Sequence, residues 1–90
     1  MSKSKNKKRY FVEFESDKYD PKAYDREKED YGSYNHYYGS HASTLKTAIG
    51  YIGKIRKEYA NDNPHNFRVY DTLADVDPIT NHVPCIYHED

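Results

Sequence analysis

Residues 9–15 alternate: Tyr10, Val12 and Phe14 fall on one side of an extended chain, and Phe11, Glu13 and Glu15 on the other. Strand side chains repeat every two residues, so the pattern predicts a half-buried β-strand. Phe11, an aromatic ring on the polar side, is its one irregularity. Residues 16–32 have no such period and read as an acidic, partly helical or mobile connection. Asp20-Pro21 marks a turn there, and Pro21 is placed to open a short helical turn. The tyrosine-rich residues 33–41 then predict a second strand opposite the first.

A helix is the clearest element. After Ser43, a natural N-cap, apolar residues recur at Leu45, Ala48, Ile49, Ile52, Ile55 and Tyr59. This spacing lays a single stripe along a helix with a period near 3.6 residues. Asn61, Asp62, Asn63 and Pro64 end it. Gly50 and Gly53 lie inside, off the centre of the stripe, and each costs about 1 kcal/mol relative to alanine. Either a neighbour packs closely there or the helix tolerates the cost.

Alternation returns in residues 67–73, with Phe67 and Val69 opposite Arg68 and Tyr70. After a turn-rich connector, DVDPITN, residues 83–88 predict a last strand, with Pro84 near its start in a position suited to a sheet edge. The elements predict an α+β fold: one amphipathic helix on a mainly antiparallel sheet of three to four strands, in ββαββ order and two layers. Residues 9–90 make a single small domain, preceded by a flexible basic arm, residues 1–8.

Composition limits the core. Only 14 of the 90 residues are Leu, Ile, Val or Phe, which taken alone approaches the composition of a disordered chain. The 11 tyrosines and a net charge of −1 argue instead for a folded domain. The small net charge hides segregation: basic at residues 3–9, acidic at 13–30, basic at 46–58 and acidic beyond Asp62. Such blocks fit neither a uniformly basic nucleic-acid binder nor a wholly acidic mimic of one. Cys85 is the single cysteine, so no intrachain disulfide forms. The apolar run near the start is too short and too polar for a signal peptide or membrane span, which makes the cytoplasm the default location.

No pattern calls for a metal, a cofactor or a catalytic residue. His82, Cys85 and His88 have suggestive spacing, but on a strand the two histidines stand roughly 20 Å apart with Cys85 on the opposite face. They cannot share one zinc ion, and Cys85 reads as a small buried hydrophobe. Asp75, Asp77 and Asn81 lack the glycine and glutamate of a calcium loop and read as a turn. Five histidines and many carboxylates impose no spacing that requires catalysis, so the enzyme reading ranks last.

Three features suggest function. Tyr31, Tyr34, Tyr37 and Tyr38, set among Gly, Ser, Asn and His, have the composition of a binding surface, since tyrosine offers large contact at low entropic cost. The competing reading is that they fill a core poor in aliphatics. Arg56, about 40° from the axis of the stripe, serves either as a partner anchor or as cover for the core edge, paired with an acid such as Asp71. Lys3, Lys5, Lys7, Lys8 and Arg9 in the arm, with Lys46, Lys54 and Lys57 on the helix, make a modest nucleic-acid footprint. The leading expectation is a non-enzymatic protein-interaction module of accessory or inhibitor type, a kind common among phage and mobile-element genes. The alternative is a nucleic-acid-binding protein. The thin core leaves room for a homodimer, and nothing points to a membrane.

Overall fold

The computed structural model describes residues 9–25, 27–38 and 41–90. The arm expected at residues 1–8 lies outside the described residues. In chain order the elements are β1 (Tyr10–Asp25), β2 (Asp30–Tyr37), α1 (Leu45–Glu58), a 3-10 turn (Ala60–Asp62), β3 (His65–Asp71) and β4 (Cys85–Glu89). The strands form one antiparallel sheet in the order β2-β1-β3-β4. The two alternating segments recognised in the sequence are thus its central strands.

Alternation explains which face α1 covers. Val12 and Phe14 of β1 and Phe67 and Val69 of β3 point to one side and are fully buried there. Ala48, Ile52 and Ile55 of α1 close over them, and Ala42, bridged to Tyr10, completes the core. Phe14 stacks on Phe67 at 5.8 Å between centroids and meets Tyr59 edge-on at 4.9 Å. Leu45, Tyr51 and Tyr59 pack at the rim. The helix starts one residue later than its sequence suggests. Thr44, not Ser43, is the N-cap, and its hydroxyl accepts from the Thr47 amide at 3.1 Å. A Cβ placed on Gly50 or Gly53 would meet nothing within 4 Å, so neither glycine makes room for a neighbour.

Residues 16–32 differ most from expectation. The described residues among them form no helical turn: β1 continues to Asp25, and β2 begins at Asp30, ahead of the expected residues 33–41. Of the expected second strand, residues 39 and 40 lie outside the described residues. The strands are unequally matched. Between the Glu15–Asn35 and Asp25–Asp30 pairs, β1 advances ten residues and β2 only five. Extra residues in one strand bend and twist a ribbon, with the longer strand outside the bend. Pro21 lies in one irregular stretch, between Asp20 and Tyr24, where its missing N–H leaves no ladder bond open. On the shorter path, Gly32 adopts φ 103°.

The bend returns the hairpin end over the sheet face that α1 leaves bare. There the Tyr37 hydroxyl donates to the Tyr24 carbonyl at 3.3 Å. The body has the two layers expected, and the hairpin end partly covers its other side.

Two further irregularities set side chains on that second face. Asn66 takes a left-handed conformation, φ 54°, where the β1–β3 register shifts. In β4, Tyr87 pairs with Val69 but Cys85 with Tyr70, so Ile86 is an extra residue. Cys85 therefore registers with Tyr70 and His88 with Arg68, residues of the same sheet face. Pro84 precedes the strand, and Cys85 is exposed, not a buried hydrophobe. His82 lies outside the strand altogether. The connector is a turn as its sequence suggests, with the Asn81 amide donating to the Asp77 carbonyl at 2.7 Å.

Candidate functional site

The face turned away from α1 carries a charged floor. Arg68 of β3 reaches Glu13 at 3.2 Å and Glu15 at 2.8 Å, and the Tyr70 hydroxyl donates to Glu13 at 3.1 Å. Glu13 is only 2 % exposed, a burial that a carboxylate tolerates when it is paired and hydrogen-bonded. The Arg68 Nε is buried without a hydrogen-bond partner among the described residues. Burial raises the pKa of Tyr70, and the Glu13 charge adds to the shift while Arg68 opposes it.

Aromatic rings stand beside this floor. Phe11 lies between Tyr37, 5.2 Å away, and His41, 4.8 Å away. With Tyr24 from the returning hairpin, Tyr70 and Val83, they line an open cleft of 410 Å³. Next to it, Asp25 and Glu27 at the hairpin end meet Glu13, Arg68 and Tyr70 around a polar hollow of 90 Å³. Tyr37 and Tyr70 border both spaces, so the aromatic cleft and the polar hollow are neighbours.

The tyrosines singled out by sequence divide among three places. Tyr37 lines the cleft. Tyr38 packs on the helix side, 5.0 Å from Tyr51, where burial raises its pKa. Tyr31 and Tyr34 are 65 % and 53 % exposed, and each is held edge-on by a tyrosine of the opposite strand. Tyr31 meets Tyr24 at 5.3 Å and Tyr34 meets Tyr19 at 5.1 Å. The four do not gather on one surface.

Arg56 does not reach Asp71. Its guanidinium lies 4.5 Å from the centre of the Phe67 ring, 2.7 Å from Glu89 and 2.8 Å from the Asp90 carbonyl. Asp71 instead takes two bonds of 2.7 Å from Arg9. Lys46, Lys54 and Lys57 are exposed on α1, while Lys3, Lys5, Lys7 and Lys8 lie outside the described residues. Among the described residues no three of His, Cys, Asp and Glu gather as metal ligands, and no helix is long and apolar enough to cross a membrane.

Sequence reasoning missed Glu13 and Tyr70, which meet through the pairing of β1 with β3, and Tyr24, which joins them only through the hairpin bend. The one available signal was Phe11, the aromatic residue on the polar side of its strand. Comparison with known protein families, curated proteins and solved structures found no match for this chain.

Proposed function

We propose that this protein is a non-enzymatic interaction module of accessory or inhibitor type, working in the cytoplasm and docking on another protein through its bent hairpin. The observation that carries this reading is the pair of edge-on tyrosine couples, Tyr19–Tyr34 and Tyr24–Tyr31, exposed on a ribbon with carboxylates at its end. Rings already held against a neighbour lose little freedom on binding, so their contact area is gained at low entropic cost. The acids around them, Asp17, Asp20, Asp25, Glu27, Glu29 and Asp30, outnumber Lys18, Lys22 and Lys28 among the described residues of the hairpin and favour a basic partner.

The test is capture from host lysate after nuclease treatment, comparing the native protein with a Tyr31→Ser, Tyr34→Ser variant. A specific protein held by the native chain and lost by an equally stable variant supports the reading. Equal capture by both proteins overturns it. A nucleic-acid reading has its own support in Lys46, Lys54 and Lys57, exposed on α1, which packs on the sheet face opposite the carboxylates around Arg68. It predicts recovery of nucleic acid that weakens steeply with added salt and is lost with Lys→Gln changes at these positions.

A further inference from the structure

The exposed aliphatic side chains of this chain are gathered in one place. Leu73, Val76, Ile79 and Ile86 are the large ones exposed among the described residues, and all lie in the connector before β4 or in β4 itself. Ile79 is 92 % exposed, in a chain whose aliphatic supply barely fills its core. A patch of this kind on a folded domain marks a contact surface. Its shape is fixed in advance: the Asp77 carboxylate accepts from the Ile79 amide at 2.8 Å, and the Asp77 amide donates to the His82 carbonyl at 3.0 Å.

The same segment ends in an open sheet edge. β4 pairs with β3, and no strand lies beyond it among the described residues. Edge strands leave alternate N–H and C=O groups outside any ladder, and proteins guard them with lysine, proline or a covering element. At the other edge, β2 turns amides onto its own side chains: Tyr31 donates to the Asp30 carboxylate at 2.7 Å and Asn35 to the Ser33 hydroxyl at 2.9 Å. Among the described residues no side chain caps an amide of β4 in this way, and the strand contains neither lysine nor proline. The extra residue Ile86 is a bulge of the kind that often guards an edge, yet here it sets an aliphatic side chain outside, 42 % exposed.

We infer that two copies of this chain pair through this edge, β4 beside β4 and antiparallel about a two-fold axis, burying Ile86 and the connectors between them. The occupant of this surface must supply both a strand and an apolar patch. A second copy supplies both, and in a two-fold pair each edge completes the other. Charge favours the same arrangement. Asp75 and Asp77, ahead of β4, pair with no cation among the described residues. The two-fold sets them toward the far end of the second copy's β4, where α1 ends in Arg56 and Lys57. Residues 72–89 of each copy approach the roughly 20–30 that a standard interface uses per side. The hairpin of the docking reading lies toward the opposite edge of the sheet and stays free in the pair.

Sedimentation of the full chain at rising concentration tests this. The protein should pass from monomer to dimer within the micromolar range. A mixture of two differently isotope-labelled preparations should show contacts between β4 of one copy and β4 of the other. Ile86→Lys places a charge on the edge, outside the core, and should raise the dimer dissociation constant roughly tenfold or more while the thermal midpoint of the dilute protein stays unchanged. Should that variant lose its fold, Ile79→Ser alters a nearly fully exposed side chain and should weaken the dimer several-fold. A chain that stays monomeric into the millimolar range overturns the inference, as does a dimer that both substitutions leave intact or whose contacts map away from β4. Ile86→Lys should leave capture through Tyr31 and Tyr34 unchanged, so the pairing and the docking reading stand or fall separately.

Discussion

At the scale of single residues, pairing decides which polar groups the small core admits. Asp71 is 6 % exposed and satisfied in several ways: two bonds from Arg9, and a third from the Leu73 amide at 3.1 Å. The Arg9 bonds, more than any other contact, hold its carboxyl below its ordinary range. A group whose folded pKa is depressed stabilises the fold above its unfolded pKa and loses that contribution as pH falls through the folded value. Comparing thermal unfolding of the native protein and Asp71→Asn should therefore show the widest gap near neutral pH. The gap should narrow below about pH 4, where the unfolded carboxyl begins to hold its proton. A gap independent of pH would show that the Arg9 pair contributes nothing through charge. Glu89, lowered by bonds from Tyr87 and Arg56, acts in the same direction.

At the scale of elements, the helix and the hairpin differ in how far sequence alone could show them. The stripe from Leu45 to Tyr59 repeats one period over four turns, and Ala48, Ile52 and Ile55 are buried as it implies. The alternating stretches around Val12 and Phe67 were nearly as plain, with Phe11 the one irregularity. The hairpin was hidden because its irregular matches break the two-residue period between Glu15 and Asp25, leaving no repeat to read. The cleft was hidden with it, since Tyr24 and Glu27 reach Tyr70 only through that bend. The glycines distinguish the two elements experimentally. Gly50→Ala and Gly53→Ala add a methyl group in open space on a helix and should each stabilise the protein by about 1 kcal/mol in denaturant titration. Gly32→Ala must hold φ near 103° and place its methyl 1.9 Å from the Tyr19 hydroxyl unless that ring moves. It should cost about 1–3 kcal/mol and weaken the contact between Tyr24 and Tyr37. Equal effects at all three positions would remove the distinction.

At the scale of the whole molecule, stability depends on few side chains. Among the described residues eight hydrophobic side chains form the buried cluster, and Phe14 stacks on Phe67 within it and meets Tyr59 and His36 beside it. Phe14→Ala should cost about 3–5 kcal/mol, enough to leave a domain this small largely unfolded at room temperature. A variant that retains a cooperative transition near the native midpoint would show that α1 and the sheet are held together by something other than this cluster. The charge blocks seen in the sequence also separate in space. The cationic side chains of α1 occupy one side of the sheet, and the carboxylates around Arg68 and the hairpin end occupy the other.

The strand order also fixes when the parts can assemble. β1 is made early, yet its inner neighbour β3 follows both β2 and α1 in the chain, and Val12 pairs with Val69. Hairpin and helix are local and can form quickly, but neither encloses Phe14 until β3 arrives. As the chain emerges during synthesis, its first strand waits exposed for its inner partner, open to pairing with other chains. The rate at which native protein accumulates is thereby tied to delivery of residues 65–71, and changes that weaken the β1–β3 seam should raise aggregation during synthesis before they impair the finished fold.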